Sequence, residues 1–324
     1  MSNWRNTAAI VGCLGALLAP LTAQAQEYPE GQIRFLLHVE PGGATDVMGR
    51  RLAAGLQQQL GNTVVVENRS GGSGARQMAQ LARAEPDGLT IGSVTASHLG
   101  MFQQSGNFNI DSVEWACGLV LDPYLIAVPA ESEIDSLSDM VETAKANPGS
   151  LSVAGFGERS GGQIAWLMLE DAGSLEEGDI NWIPYSSVGD AVVAALGGHT
   201  DIVISYTGLV RQYVEAGELK VIGVMSDDRA DVLPDVETYA EQGLDVDTTW
   251  QQFRGVIMPV GTPPEIQEAF CRAVDEVMKT EEMQQYIADS ELIANVMRPE
   301  EFRSFVVTQN EATIEWAERL GQAD

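Results

Sequence analysis

The sequence is poor in basic residues. Its 324 residues include 18 Lys and Arg against 47 Asp and Glu, and the only lysines are Lys145, Lys220 and Lys279. Binding to nucleic-acid phosphates requires a basic surface, so we expect no nucleic-acid partner. An acidic surface suits a saline medium, because salt screens the repulsion between like charges. It is equally compatible with an ordinary acidic exported protein.

Histidine and cysteine are also scarce. The three histidines, His38, His98 and His199, lie far apart and show no metal-ligand spacing with Cys, Asp or Glu. His38 falls in a predicted strand, where a core or edge histidine is the common case, and His199 follows two glycines in a predicted turn. We expect no metal site. Cys117 and Cys271 remain after the leader, and a buried free pair and a disulfide both stay open.

Sequence patterns typical of catalysis are missing. The chain has no G-x-x-x-x-G-K-[ST] phosphate loop, and the Gly71–Gly74 loop lacks the last glycine of a dinucleotide fingerprint. The serine of the segment 157–161 is in the wrong place for a G-x-S-x-G nucleophile elbow. We therefore expect no cofactor and no enzymatic activity.

The first 25 residues have the pattern of a cleavable secretory signal peptide. Arg5 precedes the apolar run Ala8–Leu18, and Ala23-Gln24-Ala25 is an A-x-A cleavage site. A lipoprotein cleavage box ending at Cys13 is the weaker alternative, because the apolar run continues beyond it. No later segment has the ~20 apolar residues of a membrane helix. We expect an exported, soluble mature protein.

Strands alternate with helices from Tyr28 onwards, which predicts an α/β fold with mostly parallel, doubly wound sheets. A first series and a second series beginning at Leu151 repeat the order strand, small polar loop, helix. Helices are predicted over Leu137–Ala146 and Val188–Leu196, and Thr95–His98 is predicted as a loop. We expect two lobes joined by two hinge crossings, near Leu121–Ile126 and near Trp250–Phe253. The predicted domains are 26–123 with 251–324 for the first lobe and 124–250 for the second.

The segment Pro41–Asp46 is the main candidate for a binding site. Its glycine pair lies between a predicted strand and a predicted helix, so the unpaired N–H groups of the first helical turn can bind an anion. A plain turn capped by Thr45 or Asp46 is the alternative. Other loops fall on the same sheet edges, and we expect hydrogen bonds to a ligand from the hydroxyls of Thr45, Thr95, Ser97, Ser160, Ser186 and Ser187.

Two charged candidates each have two interpretations. Arg159 lies in the glycine-rich loop of the second lobe, where it either clamps a second carboxylate or is an exposed arginine paired with Glu158 or solvent. Asp46 either complements the helix dipole or accepts a hydrogen bond from the ligand or a bridging water.

Seven segments together resemble the periplasmic receptors of the tripartite tricarboxylate transporters, the Bordetella-uptake-gene family. The resemblance runs from about Tyr28 almost to the C-terminus and is carried by Pro41–Asp46, Val64–Arg69, Pro86–Thr90, Pro184–Tyr185, Leu196–Asp201, Ala216–Lys220 and Pro259–Pro264. It implies a two-lobed periplasmic binding protein of the Venus-flytrap type. Such a receptor captures a di- or tricarboxylate or a related organic acid and delivers it to a membrane permease with a large and a small subunit; we expect a monomer.

The resemblance also implies which residues bind the ligand. One ligand carboxylate is held by main-chain amides, often through ordered water, at Gly42, Gly43, Ala44, Asp46 and the loop Thr95–Ser97. In the second lobe the positions are Gly157, Arg159, Ser160, Tyr185, Ser186 and Ser187. The chain departs from the family pattern at His38, Glu40, Arg159 and Ser205.

Two other functions remain open from the sequence alone. The same cleft can serve a sensing module that reports ligand occupancy to a membrane sensor. It can also serve an exported enzyme, which requires a base near the substrate.

Overall fold

A computed structural model of the chain describes Met1 and residues 28–158, 160–230, 233–248 and 250–321. The predicted signal peptide, apart from Met1, and Arg159 lie outside the described residues. The strands are β1 (Ile33–Leu37), β2 (Val64–Asn68), β3 (Thr90–Thr95), β4 (Glu114–Asp122), β5 (Leu125–Pro129), β6 (Leu151–Phe156), β7 (Ile180–Tyr185), β8 (Ile202–Ser205), β9 (Leu219–Val224), β10 (Gln252–Met258) and β11 (Ile293–Ala294).

The helices alternate with these strands, as the sequence predicts. They are α1 (Ala44–Leu60), α2 (Ala75–Leu81), α3 (Ser97–Ser105), α4 (Leu137–Ala146), α5 (Gly161–Ala172), α6 (Val188–Leu196), α7 (Thr207–Glu215), α8 (Pro264–Met278), α9 (Glu281–Asp289) and α10 (Pro299–Gly321). A short 3-10 turn, Gly72–Gly74, precedes α2. No helix among the described residues combines the length and the apolar character needed to cross a membrane.

The first lobe is built on a six-stranded sheet in the order β11-β4-β10-β3-β1-β2. Helices cover both faces of this sheet, because its strands are apolar on both sides. Phe35 packs on one face in a cluster with Met48 of α1 and Phe270 of α8, and Leu36 packs on the other face in a cluster with Phe302 of α10. The first lobe is therefore doubly wound.

The second lobe is built on a five-stranded sheet in the order β7-β6-β8-β5-β9. Its core is continuous with that of the first lobe, since the cluster that holds Leu36 also holds Ile126 of β5 and Trp166 of α5. The two lobes therefore pack directly against each other beside the strands that connect them.

Both sheets are mixed, whereas the sequence pattern predicted mostly parallel sheets. In the first lobe β1 is parallel to β2 and β3, but β10 is antiparallel to β3 and β4. In the second lobe β6 is parallel to β7 and β8, but β5 is antiparallel to β8 and β9. The antiparallel strands include β4 and β5, which lead the chain into the second lobe, and β10, which brings it back.

The chain changes sheet at the two places expected for the hinge. Only Pro123 and Tyr124 separate β4 from β5, and β10 begins at Gln252, directly opposite Asp122 of β4. The domain boundaries 26–123 with 251–324 and 124–250 stay a prediction. A disulfide joins Cys117 of β4 to Cys271 of α8, which decides between the two states that the sequence left open.

Candidate functional site

A cavity of about 500 Å³ lies between the two lobes. Its walls come from the segments at the carboxyl ends of β1, β2, β3, β6, β7 and β8, together with side chains of β10. The lining comprises His38, Val39, Glu40, Gly43, Ala44, Thr45, Ser70, Gly71, Gly72, Ser73, Arg76, Thr95, Ser97, Phe156, Gly157, Tyr185, Ser186, Ser187, Val188, Gly189, Tyr206, Leu209, Gln252 and Arg254.

The start of α1 forms part of the first-lobe wall. Gly42 has φ 94°, a left-handed conformation that favours glycine, and Gly43 is extended before the helix begins. Gly43, Ala44 and Thr45 line the cavity at this helix N-terminus. N–H groups in the first helical turn have no acceptor within the helix, so this wall is a donor surface for an anion.

Asp46 stabilises this loop from behind. Its side chain is buried and accepts hydrogen bonds from the Gly42 N–H at 3.0 Å, Arg50 Nε at 3.0 Å and Asn68 Nδ2 at 2.8 Å. Burial raises the pKa of Asp46, but these hydrogen bonds outweigh burial and hold the pKa below its ordinary value. Asp46 is therefore a carboxylate that fixes the shape of the loop, and it does not line the cavity.

The start of α6 forms the facing wall in the second lobe. Ser187 is the N-cap of this helix, and its Oγ accepts a hydrogen bond from the Asp190 N–H at 3.0 Å. Ser186 Oγ in turn donates to Asp190 Oδ2 at 2.7 Å. Ser186 donates its hydroxyl hydrogen within the turn, whereas Ser187 only accepts there. The donors that the start of α6 offers to the cavity are therefore the Ser187 hydroxyl and the N–H groups of Val188 and Gly189.

The sequence-predicted residues divide into three groups. Nine line the cavity: Gly43, Ala44, Thr45, Thr95, Ser97, Gly157, Tyr185, Ser186 and Ser187. Gly42, Asp46 and Ser160 do not; Ser160 is fully buried as the N-cap of α5, where its Oγ accepts from the Gln163 N–H. Arg159 lies outside the described residues. A role of any of them in ligand binding stays a prediction.

The buried part of the lining, which we call the cavity floor, consists of residues that sequence reasoning mostly missed. It comprises His38, Thr95, Ser97, Tyr206, Gln252 and Arg254. Gln252 connects the two lobes here: its Oε1 accepts from the Ala96 N–H at 3.1 Å, and its Nε2 donates to the Tyr206 hydroxyl at 3.0 Å.

Arg254 is the charged residue of the cavity floor. It is 3% exposed, its Nη2 forms an ion pair with the buried carboxylate of Asp122, and its guanidinium lies 5.7 Å from the centre of the Tyr206 ring. Burial raises the pKa of Asp122, and the adjacent guanidinium opposes the rise. The only sequence signal was a single arginine in the apolar strand β10.

His38 is neutral in the cavity floor. Its Nδ1 lies 2.8 Å from Ser93 Oγ and its Nε2 lies 3.3 Å from Thr95 Oγ1. Burial, together with the nearby His98 and Arg254, lowers its pKa well below the ordinary value. Among the described residues, no group of three or more His, Cys, Asp or Glu could hold a metal ion.

Solved structures with this fold are periplasmic binding proteins. A structure described as a periplasmic transporter superposes with a TM-score of 0.82 at 24% identity, covering 90% of this chain and 98% of its own. The R. palustris protein Rpa4515 with adipate superposes with a TM-score of 0.82 at 21% identity, covering 91% of this chain and 98% of its own. MatC from Rhodopseudomonas palustris with bound malate superposes with a TM-score of 0.76 at 23% identity, covering 90% of this chain and 99% of its own. These likenesses establish the two-lobed fold.

Sequence relatives match over nearly the full chain. Protein BugT of Bordetella pertussis is 29% identical over 315 residues, covering 95% of both chains. A UPF0065 protein from the gbd 5′ region of Cupriavidus necator is 28% identical over 319 residues, covering 98% of this chain and 95% of its own. The profile described as "Tripartite tricarboxylate transporter family receptor" matches residues 48–318. The chain therefore belongs to the tripartite tricarboxylate transporter receptor family, a family of periplasmic solute-binding proteins.

Proposed function

We propose that this chain is an extracytoplasmic receptor that binds a small carboxylate between its lobes and delivers it, chemically unchanged, to a permease with a large and a small subunit. The observation that carries the proposal is the convergence of helix N-termini from both lobes on one cavity. The N-termini of α1 and α3 line the cavity from the first lobe, and the N-terminus of α6 lines it from the second. Unpaired N–H groups and the positive ends of the helix dipoles both favour an anion there.

Export of the mature protein to the periplasm is part of this proposal. Residues 1–25 have the pattern of a signal peptide, and the Cys117–Cys271 disulfide supports an oxidising compartment. Adipate and malate are carboxylates bound by proteins of the same fold, which supports a carboxylate as the ligand class. A ligand held by both lobes favours the closed arrangement, because each lobe alone offers fewer contacts.

A thermal-shift screen of small organic acids tests this function. We expect at least one carboxylate to raise the melting temperature, since a ligand that binds only the folded state stabilises it. Ala44→Pro then localises the binding. Proline is tolerated at the first position of a helix, and the extended Gly43 is compatible with a following proline, so the variant removes one N–H donor and little else.

The matched control is Glu281→Pro, which places proline at the first position of α9, outside the cavity lining. We expect Ala44→Pro to weaken binding about tenfold, the effect of losing one charge-assisted hydrogen bond, and Glu281→Pro to leave it unchanged. The proposal is wrong if no carboxylate stabilises the protein, or if both proline variants bind as the wild type does.

A further inference from the structure

We propose that Arg254 binds the ligand's carboxylate directly, and that the cavity selects carboxylates whose carbon skeleton is apolar over those that carry hydroxyl groups. This inference rests on the proposed function and narrows it to a substrate class. It follows from two independent features of the cavity: unpaired donors on a buried arginine, and walls of different polarity in the two lobes.

The first feature is the incomplete hydrogen bonding of Arg254. Its Nη2 donates to Asp122, but its Nε and Nη1 have no hydrogen-bond partner within the protein. A buried donor without an acceptor is destabilising, and more so on a charged group. Both atoms are covered in the cavity floor, and Arg254 is part of that floor, so a ligand carboxylate that displaces the covering side chains is the natural acceptor for these N–H groups.

Arg254 is held in place for such a role. The Asp122 carboxylate fixes one end of the guanidinium and the Tyr206 ring packs against it. Its strand, β10, lies in the middle of the first sheet, where Arg254 is paired with Thr95 of β3 and Val120 of β4. The side chain therefore has little rotational entropy left to lose when a carboxylate binds.

The remainder of the cavity floor supports a carboxylate at Arg254. His38 and Thr95 are neutral groups that can add hydrogen bonds without adding charge. The start of α3 at Ser97 adds the positive end of a helix dipole. Asp122 already offsets the charge of Arg254, so the attraction of the floor for a carboxylate comes from the N–H donors of Arg254 and the dipole of α3.

The second feature is the contrast between the two walls. The second lobe contributes the aromatic and most of the larger aliphatic side chains of the lining, whereas the first lobe contributes mainly glycines, hydroxyls and charged groups. The second-lobe residues are Phe156, Tyr185, Val188, Tyr206 and Leu209, beside Gly157, Ser186, Ser187 and Gly189. A ligand anchored at Arg254 in the first lobe thus places its carbon skeleton against aromatic and aliphatic side chains of the second lobe. Where that skeleton lies against Phe156, Val188 and Leu209, a hydroxyl on it would lose its water without gaining a side-chain partner.

Two pairs of ligands of equal length and charge test the selectivity on the wild type. Hexanoate and gluconate are six-carbon monocarboxylates, and adipate and galactarate are six-carbon dicarboxylates; the second member of each pair carries hydroxyls on its carbon chain. By titration calorimetry we expect the apolar member to bind at least tenfold more tightly in both pairs. Equal or tighter binding of gluconate and galactarate would overturn the apolar-skeleton inference.

Arg254→Lys tests the anchor. Lysine keeps a cation opposite Asp122, so the buried pair persists, but it cannot reproduce the Nε and Nη1 donors. We expect at least a tenfold rise in Kd for the tightest wild-type ligand. The matched control is Arg34→Lys. Arg34 lies on β1 of the same sheet and pairs with Glu67 outside the cavity lining, so this variant should leave Kd unchanged.

A second variant tests the same role of Arg254 in case Arg254→Lys folds poorly. In Arg254→Gln/Asp122→Asn both members of the pair become neutral together, so no buried charge is left alone. We expect it to show the same loss of affinity, with the ligand-free melting temperature as the measure of folding. Unchanged affinity in either folded variant would overturn the role of Arg254. If no carboxylate binds the wild type at all, the proposed function fails as well, so the two failures are distinguishable.

Discussion

At the scale of single residues, two buried histidines pack together at the cavity floor, and His38 is the one that lines the cavity. His38 and His98 have ring centres 4.4 Å apart, and both are at least 95% buried. Thr95 N–H donates to His98 Nδ1 at 3.3 Å, so the proton of neutral His98 lies on Nε2, which faces Gln77 Oε1 at 3.1 Å. Gln77 Nε2 then donates to carbonyl oxygens of β1 and β3. Neutral histidine is thus part of the connection between these strands.

This arrangement predicts a loss of stability in acid. Burial lowers the pKa of His98 to about 4, whereas the unfolded chain titrates near 6.5. Between these values the unfolded state binds a proton that the folded state does not, so the free energy of unfolding falls as the pH falls. From the two pKa values we expect His98 to account for a loss of about 2 kcal/mol at pH 5 relative to pH 8.

Urea unfolding at pH 8 and pH 5 measures this effect. His98→Gln removes the titrating group, so its loss of stability on acidification should be smaller than that of the wild type. The matched control is the same substitution at an exposed histidine, His199→Gln. An identical pH dependence in wild type and His98→Gln would contradict the assignment.

The residues of the cavity floor were the hardest to predict. Arg254 and Gln252 lie on β10, and the function of a strand side chain depends on which strands flank it and on which face it lies. The order β4-β10-β3 comes from a strand that returns after the whole second lobe, a pairing that no local pattern specifies. By contrast, Gly43 and Ser187 were found because a glycine or serine before a helix is a local signal.

At the scale of helices and strands, capping explains which elements were predicted. The sequence predicted α4 and α6 with their observed bounds, and each begins at a serine whose side chain accepts a backbone N–H. The starts of α3 and α7 have no such side-chain cap, and the sequence pattern did not predict these two helices. The segment Thr95–His98, predicted as a loop, is the end of β3 running directly into α3.

The contact between α3 and α5 provides a prediction about the fit of the two lobes. A Cβ on Gly161, the first residue of α5, would lie 2.8 Å from the Cβ of Ala96 and 2.7 Å from the Tyr124 hydroxyl. We expect Gly161→Ala to force the N-termini of α3 and α5 apart, because overpacking typically costs about 1–3 kcal/mol. The melting temperature should fall, and carboxylate binding should weaken several-fold.

The next residue supplies the control for that experiment. A Cβ on Gly162 would come no closer than 3.7 Å to any neighbouring atom, so Gly162→Ala changes the same helix without a clash. Alanine is also the better helix former, so this variant should be as stable as the wild type or more stable. Melting curves and calorimetric titrations of both variants measure the difference. Equal behaviour of the two would contradict the tight contact between the lobes.

At the scale of the whole molecule, the disulfide closes a loop that contains the second lobe. Cys117 lies on β4 before the chain enters that lobe, Cys271 lies on α8 after its return, and 154 positions separate them. A cross-link stabilises mainly by restricting the unfolded chain, and the restriction grows with loop length. The bond therefore stabilises the return of the chain to the first sheet without entering the cavity lining.

Removing the disulfide should lower stability and leave binding intact. For a loop of this length, the chain-entropy relation gives a loss of about 5 kcal/mol, or roughly 8 °C in melting temperature for a chain of this size. We expect Cys117→Ala/Cys271→Ala to show a loss of up to this size, and dithiothreitol to lower the wild-type melting temperature but not that of the variant. Carboxylate affinity measured well below the melting temperature should be the same in both proteins. If the variant had the same melting temperature as the wild type, the returning strand β10 would be held by its pairing with β3 and β4 alone.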